Sequence, residues 1–259
     1  MKIAIPDSPL VDPLIANAEG VCKRLGWTIV RAPDDTCASL LLTNEVSLAL
    51  LSPLGYGQGV GKVDYRIVPG PAITLHDYTD VGGIRFAPDV DEIASVGSHR
   101  PKSFLPVIGN ILMREKFEIP VVDLKPVSTV IDTDCVIDEN TFAEASSPAA
   151  LDISEEWHDL SEGPLPVALW VCRNDADIDR IPNAISQMAD PSVTEQFVNE
   201  PPSPTSDHTP REGRISYRWT DDVEDAVDAV LHVLFFHQLV PELPAVKILG
   251  REDDLIPDA

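Results

Sequence analysis

The basic run at residues 98–103 contains the residue types best suited to bind an anion. It reads Ser98, His99, Arg100, Pro101, Lys102 and Ser103. The run lies where a predicted strand ends and a predicted helix begins. Free backbone N–H groups at a helix start bind anions, and an arginine with serine hydroxyls adds charge-assisted hydrogen bonds to a carboxylate. Two interpretations fit these residues equally: an anion site, or a helix cap beside a surface arginine.

Two further polar loops follow predicted strands. Ser8 comes after the first strand, and Ser52 comes after the third. In open α/β sheets, ligands contact the loops at the carboxyl ends of the strands. The three loops together are therefore typical of a protein that binds a small ligand in a cleft.

Other motifs point away from metal and nucleotide chemistry. The glycine-rich residues 55–61 lack the Lys-Ser/Thr of a phosphate loop, which favours a flexible turn over a phosphate cradle. His232 and His237 are five residues apart, a spacing that suits partly buried helix histidines better than metal ligands. We predict no metal and no cofactor.

Composition excludes several classes of partner. The 259 residues suit one large domain or two lobes, and 19 basic against 43 acidic residues give a net charge of −24. Such a charge argues against nucleic acid, which needs a basic surface, and against anionic lipid. The acidity serves solubility or reflects a salt-rich cytoplasm, and the sequence leaves that choice and the oligomeric state open.

The sequence carries neither an apolar run long enough to span a bilayer nor a recognisable secretory signal, which predicts a cytoplasmic protein. The four cysteines form no Cys-x-x-Cys pair, and free buried thiols fit them better than disulfides. The cysteines are Cys22, Cys37, Cys135 and Cys172.

The pattern of apolar residues predicts the elements that position these loops. Strands at 2–5, 27–32 and 46–51 alternate with helices at 13–25 and 34–42, which indicates an α/β fold with a largely parallel sheet. Further predicted strands lie at 65–68, 72–76, 82–86, 93–97, 119–124, 130–137 and 168–172. Further predicted helices lie at 103–116, 138–150, 180–189 and 221–239, with a mobile loop at 200–210 and a frayed tail at 251–259.

Several short motifs, in the same order along the chain, make the sequence resemble the menaquinone-biosynthesis family of the futalosine route, which includes chorismate dehydratase. The resemblance covers roughly residues 1–240, and no single motif is specific alone. It is carried by residues 1–5 and 12–14, 44–53, 65–70, 151–157 and 165–171. The family is built like a two-lobed type II solute-binding protein, so the resemblance implies an α/β fold of that type, with a ligand cleft between the lobes.

Three positions depart from the family pattern. Leu10 stands where the family has an asparagine thought to act on the substrate, and Gly83 stands where it has a serine. The Ser-Arg-Thr-Ser anion loop is altered to the run at 98–103. Leucine cannot form a hydrogen bond and glycine has no side chain, so two polar groups of the family's reaction site are replaced.

The resemblance implies a site for a small dicarboxylate. Its substrate contacts would be Ser8, Ser52, Gly83, Ile84, Ser98, Arg100, Lys102 and Ser103. His99 or Asp134 would replace the missing base. The implied lobes are residues 1–88 with 190–259, and residues 89–189, with crossings near 86–88 and 173–181.

Three functional hypotheses follow. The first is a chorismate dehydratase-like lyase. The second is a protein of the same fold that binds a small anion without chemistry, or takes another substrate. The third is a pseudoenzyme whose acidic surface recruits a partner.

Overall fold

A computed structural model describes residues 1–119, 123–127, 133–140, 149–174, 178–201 and 209–251. The strands in these ranges are β1 (Lys2–Pro6), β2 (Thr28–Ala32), β3 (Leu48–Leu51), β4 (Tyr65–Ile67), β5 (Ile73–Asp77), β6 (Gly82–Phe86), β7 (Val96–Ser98), β8 (Lys125–Pro126), β9 (Cys135–Glu139), β10 (Leu151–Asp152), β11 (Leu165–Arg173), β12 (Glu195–Asn199) and β13 (Glu212–Ser216). The helices are α1 (Asp12–Ile15), α2 (Ala18–Leu25), α3 (Asp34–Leu42), α4 (Pro53–Gly59), α5 (Phe104–Glu115), α6 (Ile153–Ser161), α7 (Ile181–Met188) and α8 (Asp221–Phe236).

The chain divides into two compact units, and each is built from separate stretches of sequence. Unit 1 contains Met1–Ile73, Ala168–Val193 and Tyr217–Ala259, and unit 2 contains Thr74–Val167 and Thr194–Ser216. These boundaries differ from the predicted lobes.

Strand pairing explains the difference. β5 forms one antiparallel ladder with β13, and β13 forms another with β12, so residues 74–88 and 194–216 belong to unit 2. β11 pairs with β3, which places residues 168–173 in unit 1. The chain therefore passes between the units after residues 73, 167, 193 and 216, and not at the predicted crossings.

The sheet of unit 1 confirms the predicted parallel order. β1 pairs in parallel with both β2 and β3, β11 is antiparallel to β3, and β4 is antiparallel to β11. Both β1 and β3 are almost continuously apolar and buried, as expected of strands covered on both faces. The largest fully buried side chains of this unit include Trp170, Tyr56 and Tyr65.

The sheet of unit 2 has the order β10-β6-β9-β7-β8. β6 is antiparallel to β9 and β10, while β7 is parallel to β9 and β8. Helices α5 and α6 pack on each other, and α5 packs on β9. α5 buries Phe104, Leu105, Ile108, Ile111 and Leu112, and this apolar face fixes where its amino end lies.

The glycine-rich residues 55–61 were predicted to be a flexible turn, and that prediction is wrong. Residues 53–59 form α4, which is buried along most of its length. A Cβ atom at Gly59 would lie 2.0 Å from the ring of Tyr65, and one at Gly57 would lie 2.7 Å from Val240. The glycines are needed because other side chains pack directly against this helix.

Other local predictions also changed. The helix expected at 13–25 is interrupted at residues 16–17 and forms α1 and α2. The helix expected at 138–150 is wrong at its start, because Asp138 and Glu139 belong to β9. Residues 141–148, 120–122, 130–132 and most of the predicted loop and tail lie outside the described residues. The sequence did not predict β12, β13 or, as a helix, α6.

All four cysteines are buried free thiols, as predicted. Burial raises the pKa of Cys37, Cys135 and Cys172 to about 12.

Candidate functional site

The two serines of unit 1 lie at the carboxyl ends of neighbouring parallel strands. Ser8 follows β1, and its hydroxyl accepts a hydrogen bond from the Leu10 amide at 3.3 Å, which caps a short 3₁₀ turn. Ser52 follows β3 and begins α4. Because β1 and β3 run parallel, both serines lie at the edge of the sheet where α/β proteins place ligand contacts.

The Ser52 hydroxyl is already engaged within the protein. It donates to the Asp34 carboxylate at 2.8 Å and accepts from the Gly55 amide at 3.3 Å, and the Ser52 amide donates to the second Asp34 oxygen at 3.3 Å. Burial raises the pKa of Asp34, and the hydrogen bonds from Ser52 act in the opposite direction. Sequence reasoning missed Asp34. Asp34 begins α3 two residues after β2, which is also one of the three parallel strands, and that position could have indicated it.

In unit 2, Ser98 holds the start of the basic run to the sheet. Its hydroxyl donates to the Asp138 carboxylate at 2.8 Å and accepts from the Arg100 amide at 3.0 Å. Ser98 is fully buried and Asp138 almost fully. Ser98 therefore positions the loop instead of facing a ligand.

Asp138 also orients His99. The same carboxylate accepts from the His99 amide at 2.9 Å, and its other oxygen lies 2.6 Å from the His99 Nδ1 atom. The His99 side chain is 33% exposed, so its ring reaches the surface. A buried carboxylate that holds one imidazole nitrogen fixes the orientation and tautomer of the ring, which is how many enzymes position a general base. Sequence reasoning missed Asp138 because it expected a helix there.

The amino end of α5 offers hydrogen-bond donors that the protein does not use. Ser103 is the N-cap residue, is 5% exposed, and makes no side-chain capping bond. Position N3, whose amide would normally donate to a capping hydroxyl, is Pro106, which has no N–H. Within the described ranges, the Ser103 hydroxyl and the amides of Phe104 and Leu105 have no hydrogen-bond partner.

Two cationic residues of the same run precede these donors in sequence. Lys102 is exposed, and Arg100 is half-buried with its amide bonded to Ser98. The helix dipole adds partial positive charge at the α5 amino end. This combination of cations and amide donors suits a carboxylate.

Gly83 and Ile84 lie on β6 beside the strand of Asp138. Gly83 is the ladder partner of Asp138, while Ile84 is fully buried opposite Ile137 in the core. A Cβ atom at Gly83 would lie 2.3 Å from the Cβ of Ala149. Ala149 thus occupies the space that a serine at Gly83 would need, and Ile84 offers no side chain to a ligand.

Asp134 is not brought near the basic run. It precedes β9, whereas Asp138 lies near the other end of that strand, so the two are about 13 Å apart at ~3.3 Å per residue. Its carboxylate accepts from the Ala94 amide and from the amide and hydroxyl of Ser95 at 2.8–3.0 Å. These bonds lower the pKa of Asp134, and they indicate a carboxylate that holds a loop.

The described residues include no group of three or more His, Cys, Asp or Glu side chains that could hold a metal ion. No helix in the described part of the chain is long and apolar enough to cross a membrane.

Comparison with solved structures identifies the fold. Protein AF1704 from Archaeoglobus fulgidus is similar with a TM-score of 0.58 and 15% identity, over 92% of this chain and 98% of that one. The alkanesulfonate-binding protein SsuA from Xanthomonas axonopodis pv. citri, bound to MOPS, has a TM-score of 0.53 and 10% identity over 95% and 96%. An ABC transporter protein from Parabacteroides distasonis has a TM-score of 0.55 and 11% identity over 98% and 99%.

The chain therefore has the α/β fold of the periplasmic binding proteins, as predicted. No protein-family model matches the sequence, and comparison with curated proteins finds no significant relative.

Proposed function

We propose that unit 2 binds the carboxylate of a small organic acid at the amino end of α5. The observation that carries this proposal is the unused set of donors formed by the Ser103 hydroxyl and the amides of Phe104 and Leu105. The Ser103 hydroxyl makes no hydrogen bond within the described ranges, so it is available to donate to a ligand. A carboxylate satisfies all three donors, and Lys102 supplies a charge close by in sequence.

We further propose that the bound acid undergoes loss of water, as in chorismate dehydratase. The resemblance of the sequence to that family supports this step, and the His99–Asp138 pair supplies a group for it. His99 would take a proton from a ring carbon of chorismate, and the electrons of the C–H bond would form the new double bond. The hydroxyl group of the neighbouring carbon would leave as hydroxide and take that proton back from His99 to form water. The products are a carboxyvinyloxy-benzoate and water, and formation of the aromatic ring favours them.

A protein that binds the acid without chemistry is the second candidate. Two observations favour it. Leu10 stands where the family has a polar residue, and Ala149 fills the space beside Gly83 where the family has a serine. The structural neighbours include a protein that binds alkanesulfonates, so a binding role suits this fold.

Calorimetric titration of the purified protein with chorismate tests the binding site. We expect Ser103→Ala to weaken binding about 10-fold, because one hydrogen bond to a charged group is lost. Ser52→Ala, a matched change in unit 1, should leave the affinity unchanged. Equal affinity in the wild type and Ser103→Ala, or no binding of chorismate or benzoate, would overturn the proposed site.

Mass spectrometry of the same mixtures separates the two candidates. Loss of water from chorismate that falls at least ~100-fold in His99→Gln, with binding retained, supports the lyase. If chorismate binding depends on Ser103 and no product forms, the protein is the second candidate, which binds the acid without chemistry.

A further inference from the structure

A groove in unit 1 is lined by none of the residues of the proposed carboxylate site. It runs between helices α1 and α2 and strand β2, and its volume is about 610 Å³. We propose that this groove is a second ligand site and that it takes a small amphipathic anion, with an aromatic or hydrocarbon body and one carboxylate or sulfonate group. This inference does not depend on the function proposed above.

The walls of the groove are mainly apolar. They include Ile5, Ile15, Ala18, Cys22, Trp27 and Ile29. Ile15, Trp27 and Ile29 are only half-buried, although side chains of this size usually reach fuller burial in a folded domain. β2 pairs with β1 only, so it ends the sheet on this side of unit 1. The half-buried side chains therefore form an apolar surface that a ligand body can cover.

The rim of the groove supplies positive charge and donors. Lys23 and Arg31 line it together with Glu19. Within the described ranges, the Lys23 ammonium and the indole N–H of Trp27 have no protein partner. The nearest carboxylate to Arg31 is Asp12 at 3.9 Å, and the Arg31 and Asp12 side chains are 35% and 66% exposed, so this ion pair is weak.

Charge complementarity determines the class of ligand. Lys23 and Arg31 face Glu19 in the lining and Asp12 beside Arg31, so this rim is close to neutral in a chain whose net charge is −24. A ligand with a single negative group can pair with the Lys23 ammonium, which has no carboxylate partner within the described ranges. A multiply charged ligand such as a nucleotide would meet the negative field of the whole protein. The volume lies in the range of roughly 300–1,000 Å³ that is usual for small-molecule sites.

Two fluorescent probes with the same aromatic body test the proposal. 1-Anilinonaphthalene-8-sulfonate carries the negative charge, and N-phenyl-1-naphthylamine lacks it. We expect Arg31→Gln to weaken binding of the sulfonate about 5-fold or more and to leave the neutral probe unchanged, because only the sulfonate pairs with the guanidinium. Arg24→Gln is the control, because Arg24 lies on helix α2, which borders this groove, but its side chain lines a different groove. It should change neither probe.

A second variant tests the apolar walls. Ala16 is exposed, lines the groove, and has ordinary helical backbone angles, so Ala16→Trp fills space without straining the fold. We expect both probes to bind at least ~5-fold more weakly to this variant. Circular dichroism and thermal unfolding confirm that each variant is folded.

Three results would overturn the proposal. They are the absence of saturable sulfonate binding, binding that neither Arg31→Gln nor Ala16→Trp weakens, and binding that Ser103→Ala abolishes. The last result would place the probe at the proposed carboxylate site instead of the groove.

Discussion

Two strand-to-helix junctions of this protein share one sequence pattern but differ in whether the hydroxyl of the N-cap serine is hydrogen-bonded within the protein. In unit 1, β3 leads through Ser52 into α4, and in unit 2, β7 leads through a short basic loop to Ser103 and α5. Both serines are buried N-cap residues with extended backbone. The Ser52 hydroxyl is satisfied by Asp34 and Gly55, whereas the Ser103 hydroxyl has no partner within the described ranges.

The position of one proline explains much of the difference. In α4, Pro53 occupies N1, where a missing N–H costs nothing, and Gly55 at N3 donates to the serine. In α5, the proline is Pro106 at N3, so the donor that would close the cap is absent. A closed cap stabilises a helix, while an open one leaves donors for a ligand.

The largest expected effect comes from removing the anchor of the unit 2 junction. Asp138→Ala deprives the Ser98 hydroxyl and the His99 amide of a buried acceptor, so we expect the free energy of unfolding to fall by about 3 kcal/mol. Chemical denaturation measures it. Asp134→Ala, at the other end of β9, is the control and should cost less because Asp134 is only half-buried, whereas Asp138 is almost fully buried. An equal loss in both variants would contradict the anchoring role.

The two serines should respond oppositely to the same change. Ser52→Ala removes a cap and a bond to Asp34, so we expect a loss of about 1–2 kcal/mol in unfolding free energy with unchanged carboxylate affinity. Ser103→Ala should change stability by less than ~0.5 kcal/mol and weaken carboxylate binding. Denaturation and calorimetry on both variants check this, and a large destabilisation by Ser103→Ala would mean that its hydroxyl is structural.

Moving the proline out of α5 should convert the open junction into a closed one. Pro106→Ala restores the N3 amide, which can donate to the Ser103 hydroxyl and compete with a ligand. We expect benzoate or chorismate to bind ~3-fold to 10-fold more weakly by calorimetry. Unchanged or tighter binding would show that the proline does not keep the junction open.

The smallest expected effect is a pH dependence in unit 1. Burial raises the pKa of Asp34 above its usual 3.8, so the folded protein binds this proton more tightly than the unfolded chain does. The stability due to Asp34 is therefore highest below about pH 4 and falls as the pH rises through the raised pKa. Asp34→Asn cannot titrate, so the difference in unfolding free energy between wild type and variant should shift with pH in that direction. A shift in the opposite direction would contradict the burial of Asp34.

The sequence predicted the elements that bury an apolar stripe or run. β1, β3, α3, α5 and α7 lie close to their expected positions, because apolar periodicity reflects burial. Residues 53–59 form a helix although glycine has a low helix propensity, because Tyr65 and Val240 pack closely against Gly59 and Gly57. β12 and β13 carry few buried side chains, so their sequences show little apolar alternation. β12 pairs with β13, and β13 pairs with β5, which is distant in sequence.

The basic run at 98–103 was predicted, but the roles within it were not. Residue types indicated an anion site, and they could not show that Ser98 would bond to Asp138 across the sheet. A carboxylate in an apolar strand is the available signal, but the charged residues that follow Ile137 are also typical of a helix start. Whether a serine hydroxyl is hydrogen-bonded within the protein depends on residues distant in sequence, such as Asp34 for Ser52. The local sequence does not identify such partners.

Backbone chemical shifts during a chorismate titration test the central claim most directly. In ¹⁵N-labelled protein, we predict that the amides of Phe104 and Leu105 shift strongly and saturably, because they donate to the bound carboxylate, while the amides of Leu54 and Gly55 in the closed α4 cap stay unchanged. Shifts at the α4 cap without shifts at the amino end of α5 would contradict the account.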